Sequence, residues 1–396
     1  MKTGRKIVII IFILSALLVS GCATSHKRNP LPEAYGDIAQ IPYIPDARVW
    51  GDTIPPGIQE RIAEIKEQVR EKEPEAKYEP VDYLAISGGG ANGAFGAGLL
   101  VGWTAADNRP EFRIVAGIST GALIAPFAFL GPEYDAKLKK LYTTTSTKDI
   151  LEKRPLLSML TADSAADTKP LRKLLEDVID VKMLEEIVVE HDKGRRLFIG
   201  TTNLDAKRPV IWSIGIIAKS GAPNALQLVH DILVASASIP GAFNPVYIEV
   251  EADGRRYDEI HVDGGTSSQV FLYPASLDMR WAARKVGLKG ESRIYVLRNS
   301  RIDPNWETVK PRIVPILGNT VDSLIRTQGI GDLYRIFLSA QRDGIDYNVA
   351  FIPSDFDEKP KEEFDPEYMG KLFDLGYQMA QKGYPWEKAP PGFEPP

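Results

Sequence analysis

The sequence predicts an α/β fold in which a mostly parallel central sheet carries helices on both faces. Short apolar stretches that read as strands alternate with longer stretches of helical periodicity, the pattern that successive βαβ units write into a chain. Two of the strand candidates run straight into glycine turns, where parallel sheets commonly place anion-binding loops and exposed side chains. At 44% hydrophobic and 26% charged residues, the 396-residue chain can bury a sizeable core.

The first 22 residues read as a processing signal. Lys2, Arg5 and Lys6 precede an apolar run over residues 7–18, followed by Val19-Ser20-Gly21-Cys22. The run is shorter than the roughly 20 apolar residues a spanning helix needs, and small residues before a cut site describe a secretory signal. The segment resembles the lipobox of bacterial lipoproteins. That resemblance implies cleavage after Gly21, lipidation of Cys22 and an outer-membrane destination. Cys22 is the only cysteine, so disulfides and cysteine-ligated zinc are excluded. Processing removes three positive charges from a chain of net charge -5, and attachment to anionic lipid then falls to the acyl chains. No Lys/Arg block stands out, which argues against nucleic acid as a partner.

Residues 22–79 are expected to form a proline-punctuated tether or wrapping segment, then an amphipathic helix. Ile58, Ile62, Ile65 and Val69 carry its apolar face. The compact domain is expected over 80–385. Its strand candidates are 83–86, 113–116, 197–200, 246–250, 294–297 and 348–352, and its helix candidates are 91–102, 122–130, 169–179, 226–236, 322–341 and 366–382. An irregular proline-rich tail covers 386–396.

Three motifs carry the chemistry. Ser87-Gly88-Gly89-Gly90-Ala91-Asn92-Gly93 follows the first strand and opens a helix. Backbone N–H groups of such a loop, at a helix N-terminus, suit a developing oxyanion. The same residues fit the dinucleotide fingerprint, but that fold wants an acid at the end of its second strand. Here the second strand ends in Gly117-Ile118-Ser119-Thr120-Gly121, a G-x-S-x-G elbow between an apolar strand and an apolar helix. The third motif is Asp263-Gly264-Gly265, reached by the strand-like His261-Val262-Asp263. Of the four histidines, His26 lies in the tether, His191 in a charged turn and His230 in an apolar helical pattern. His261 shares a strand face with Asp263 and is a candidate pocket residue.

In this order the motifs resemble those of the patatin-like phospholipase family. A further segment, Ala237-Ser238-Ile239-Pro240-Gly241-Ala242-Phe243, resembles the family's stretch upstream of D-G-G. The resemblance implies a patatin-like three-layer α/β/α fold and a catalytic dyad of Ser119 as nucleophile and Asp263 as general base. Gly88, Gly89 and Gly90 become the oxyanion donors, with no metal and no cofactor. The implied substrate is a membrane lipid or lysolipid. Asn92 departs from the pattern, since many members carry Arg or Lys there. The alternatives are an acyltransferase on the same site, because an acyl-serine can be resolved by an alcohol, and a catalytically silent envelope lipoprotein or nucleotide-binding module.

Overall fold

The computed structural model describes residues 28–155, 164–304, 306 and 308–393. The signal segment, Cys22 and the last three residues lie outside the described residues.

Nine strands form one sheet: β1 (Arg48–Trp50), β2 (Val81–Ile86), β3 (Phe112–Ile118), β4 (Arg196–Asn203), β5 (Arg208–Ser213), β6 (Val246–Ala252), β7 (Arg255–Asp263), β8 (Ser292–Arg298) and β9 (Asp346–Phe351). The centre, in the order β4-β3-β2-β8-β9, is parallel throughout. Every residue of β2 is buried, as expected for a parallel strand covered on both faces.

Helices cover the two faces. They are α1 (Ile58–Lys72), α2 (Gly93–Ala105), α3 (Thr120–Leu130), α4 (Asp135–Thr144), α5 (Ala225–Ser236), α6 (Met279–Val286), α7 (Ile313–Asp343) and α8 (Pro366–Gln381), with shorter segments between. Apolar side chains of α2, α3, α5 and α8 share one core with Leu84, Ile86 and Val115. Those of α1, α6 and the C-terminal half of α7 share the other with Tyr83, Ala85, Ile294 and Val296. The architecture is the expected three-layer α/β/α.

Beyond β4 the sheet turns antiparallel. β5 pairs with β4, and β1 with β5. β6 and β7 form a hairpin closed by Asp253 and Gly254, both at positive φ, the two-residue turn that Asp-Gly favours. The proline-rich segment lies along this flank: Arg28 bonds the carboxylates of Asp205 and Asp258, and Asn29 bonds Asp258.

The placement of β7 matters most. β5 occupies one edge of β4 over residues 198–203, so β3 and β7 must share the other edge. β3 runs along it until Ile118 faces Gly200. β7 runs the opposite way and stops where Asp263 faces Thr201. The two strands therefore meet tip to tip, and Ser119 and Asp263 leave the sheet at the same point.

Candidate active site

Ser119 sits between β3 and α3 at φ 54° and ψ −127°, a conformation non-glycine residues rarely adopt without support. The support is visible. Its N–H donates to Ser236 Oγ at 3.0 Å, and the Ser236 hydroxyl donates to the Gly200 carbonyl at 2.7 Å. The elbow is also tight. A Cβ at Gly121 would lie 2.2 Å from the Ile86 carbonyl oxygen, so this G-x-S-x-G turn closes only with glycine there. The N-terminus of α3 begins at Thr120, and its positive dipole end favours negative charge on the serine oxygen.

The Ser119 hydroxyl lies close enough to the Asp263 carboxylate to lower its pKa. Asp263 is fixed by two bonds. Its N–H donates to the Ser238 carbonyl at 2.8 Å, and its Oδ1 accepts from the Gly265 N–H at 2.7 Å. The first bond shows what the Ala237-Ser238 segment does here: it holds the aspartate's backbone. Ser119 and Asp263 are 7% and 5% exposed. Burial pushes the Asp263 carboxyl up to about 6, against the lowering effect of the nearby Ser119 hydroxyl and of the Gly265 bond.

The glycine loop faces this pair. A Cβ at Gly88 would lie 3.2 Å from Ser119 Cβ. Gly88, however, gives its N–H to the Gln269 carbonyl at 3.1 Å, so of the three expected donors this one is already engaged. No hydrogen bond from the N–H of Gly89 or Gly90 is found among the described residues. Gly90, at φ 56°, has open space where a Cβ would stand. Asn299 holds the loop from behind, bonding Ser87 through its N–H and Nδ2 and accepting from the Gly96 N–H. Asn92, where a cation was the commoner residue, accepts from the Tyr368 hydroxyl at 2.7 Å.

The described histidines are engaged elsewhere or distant in role. His261 is fully buried, with Nδ1 bonded to Thr201 Oγ1 at 2.9 Å and Nε2 to Glu259 Oε2 at 3.1 Å. Burial lowers its pKa. Burial alone would raise Glu259, but the hydrogen bond from His261 and the charge of Arg48 hold it at about 2. His230 bonds the Ile179 carbonyl, and burial drives His191 down to about 3. Among the described residues no cluster of His, Cys, Asp and Glu could hold a metal ion.

Three supporting residues carried no local signal in the sequence: Ser236, Gln269 and Asn299. Each acts through bonds to residues far away in the chain. A cavity of about 550 Å³ lies between the sheet and helices α1 and α6. Its apolar walls include Ile62, Ile114, Phe198 and Phe271, together with Ile118 and Gly264, the chain neighbours of Ser119 and Asp263.

Residues 84–276 match the family model described as patatin-like phospholipase. The cUMP-AMP-activated phospholipase of Escherichia coli is 29% identical over 157 residues, 39% of this chain and 44% of that protein. The match thus spans less than half the length of that relative. Among solved structures, VipD from Legionella pneumophila is 12% identical with a TM-score of 0.39, covering 77% of this chain and 66% of that one. The type III effector protein ExoU is 14% identical with a TM-score of 0.20, covering 76% and 53%. The family match begins inside β2 and ends after Asp263-Gly264-Gly265, so it takes in all three glycine motifs, and over residues 84–276 the chain carries a patatin-like phospholipase domain.

Proposed function

We propose that this protein is a membrane-anchored serine hydrolase of lipid acyl esters, working through a Ser119–Asp263 dyad. The observation that carries this reading is the meeting of two strand ends, which brings a buried serine on a strained elbow beside a buried carboxylate whose pKa is raised. A carboxylate held near 6 is ionised at neutral pH and basic enough to take a proton in a transition state.

The step balances without an imidazole. Ser119 Oγ attacks the ester carbonyl carbon as its proton passes to Asp263. The carbonyl oxygen becomes an oxyanion, met by the N–H groups of Gly89 and Gly90, while Gly88 braces the loop through Gln269. Collapse breaks the bond to the leaving alkoxide, which takes the proton back from Asp263 and departs as the alcohol. Water, deprotonated by Asp263, then releases the acid and restores the serine. The apolar cavity, in the size range of small-ligand pockets, has Ile118 and Gly264 in its walls but not Ser119, Asp263 or the glycine loop, so it bears on acyl binding only through these chain neighbours. Anchoring through lipidated Cys22 would keep the site beside its substrate.

The test is labelling by a fluorophosphonate probe, which reacts only with an activated serine. The intact chain should be labelled, and Ser119→Ala and Asp263→Asn should not, with both variants folded by circular dichroism. Labelling that survives in folded Ser119→Ala would sink the assignment.

A further inference from the structure

Helix α7 passes the C-terminal end of β8, and three arginines meet there that no carboxylate neutralises. Arg298 closes β8 and is 5% exposed. Its guanidinium lies against Gly329 of α7, where a Cβ would stand 2.4 Å from Arg298 Nη2. Glycine inside a helix is destabilising; here its missing side chain makes room for the arginine. One turn earlier on the same helix face, Arg326 donates through Nη2 to the Ile302 carbonyl at 2.8 Å. Arg301, the neighbour of Ile302, donates through Nη1 to the Phe356 carbonyl at 3.4 Å.

These side chains lack acceptors. Arg298 Nη1, Arg301 Nε and Arg326 Nε are buried without a hydrogen-bond partner, whereas buried donors are normally paired. Among the described residues none of the three arginines forms an ion pair, and Arg298 makes no side-chain hydrogen bond at all. The acids nearby are committed or turned outward. Asp332 gives Oδ1 to Arg335 at 2.9 Å, and its Oδ2 to the Ser268 hydroxyl and the N–H groups of Gln269 and Val270. Asp303, Asp322, Asp355 and Asp357 are exposed and form no ion pair. Burial accordingly lowers the Arg298 pKa to about 10, opposed only by the charge of Asp332.

The cluster borders the glycine loop. A Cβ at Gly89 would stand 2.2 Å from the Asn299 carbonyl oxygen, so the residue after Arg298 touches the loop directly. Gln328, between Arg326 and Gly329, accepts from Gln269 Nε2 at 3.0 Å, and the Gln269 carbonyl holds the Gly88 N–H. At the other end of the loop Asn92 accepts from the Tyr368 hydroxyl. Burial raises the pKa of that hydroxyl, and the nearby charge of Arg301 opposes the rise. The unpaired cations therefore lie beside the free N–H groups of Gly89 and Gly90.

Unmet guanidinium N–H groups require an anion, and their number selects its kind. Each guanidinium is a planar fork that matches two acceptor oxygens. A carboxylate presents two oxygens in one plane and suits a single fork. A phosphate group presents oxygens in several directions and can accept from three arginines at once. A metal ion is repelled by the same charges, and a neutral ester leaves them unpaired.

We propose that Arg298, Arg301 and Arg326 form a phosphate-binding site beside the glycine loop. The site stands on this geometry; its purpose, holding the phosphate of a lipid whose ester meets Gly89 and Gly90, rests on the lipid-hydrolase reading. The test is thermal melting of the full chain in inorganic phosphate, with chloride and acetate at equal ionic strength as controls. Phosphate at about ten times its Kd should raise Tm by about 2 °C, and acetate by much less. In Arg298→Met that rise should vanish, while the melt in chloride stays at or above that of the native chain, because an unpaired buried cation is gone. Arg326→Gln, at a half-buried position, should lose most of the rise and decides the matter if Arg298→Met does not fold. No phosphate-specific rise in the native chain, or an undiminished rise in either folded variant, would overturn the proposal. The occupant is read from native-chain kinetics. Phosphate that competes with a dispersed short-chain phosphatidylcholine but not with a neutral short-chain ester identifies the substrate's own phosphate; any other pattern identifies free phosphate. The melts need no turnover, so a chain that binds phosphate yet hydrolyses nothing would sink the hydrolase reading and leave the site standing.

Discussion

Replacing Asp263 by Asn should abolish hydrolysis and yet stabilise the protein above pH 6. The carboxyl is 5% exposed and its pKa is raised from 3.8 to about 6, chiefly by burial. A raised carboxylate pKa means that the folded state binds the proton more tightly than the unfolded state. Stability therefore falls as pH rises from about 4 to about 6, and the loss is complete above that window. The shift of about 2 units corresponds to roughly 3 kcal/mol. Asn keeps an acceptor for the Gly265 N–H and carries no charge, so Asp263→Asn should recover most of this at pH 8 and little at pH 4. For a domain of this size roughly 3 kcal/mol is a rise of about 5 °C in Tm. The same pKa sets the kinetics: kcat/KM of the native protein should fall about tenfold per pH unit below 6, as the base is protonated. The assay is a pair of thermal melts at pH 4 and pH 8 beside a pH–rate profile on a dispersed ester. Equal destabilisation by Asn at both pH values would show that Asp263 is not a desolvated, proton-hungry base.

Other outcomes follow from the surrounding bonds. His261→Gln should cost about 2 kcal/mol, because Thr201 and Glu259 lose a buried partner, while fluorophosphonate labelling persists; a folded variant that is not labelled would point to a triad. Ser236→Ala should leave the Ser119 N–H and the Gly200 carbonyl unpaired, costing about 1–3 kcal/mol in denaturant melts. It should also lower kcat more than it raises KM, because a loosened elbow misplaces the attacking oxygen. Activity should survive EDTA, since the proposed chemistry uses no metal; loss restored by calcium would return Asp263 to a ligand role. Mass analysis of the membrane-extracted protein should find a lipidated Cys22 at the N-terminus.

The parallel centre was legible because β2 and β3 are apolar runs that end in turn residues, and both signals are local. The antiparallel flank was harder. β5 begins Arg-Pro and reads as a loop, and β1 is only three residues long. β6 was expected over 246–250 and the end of β7 at 261–263; the Asp253-Gly254 turn that joins them as a hairpin was present in the sequence, but it stood among acids and arginines and was not read. Helix α7 was expected over 322–341 and runs from Ile313 to Asp343. Its first turns escaped because the apolar stripe changes sides partway along, so no single helical period fits the whole.

Turn chemistry also explains which site residues could be read. Ser119 and Asp263 stand in motifs whose glycines are demanded by local geometry. What sequence could not supply was the commitment of the Gly88 N–H to Gln269, because a backbone bond between distant loops leaves no pattern in either. The same holds for the meeting of Ser119 and Asp263. It depends on β4 offering one edge to β3 up to Gly200 and to β7 from Thr201 onward. A one-residue slip of β7 would turn Asp263 to the other face of the sheet. The bond from the Asp263 N–H to the Ser238 carbonyl resists that slip from outside the sheet. Register, rather than the identity of the two residues alone, is what brings a carboxylate to the serine.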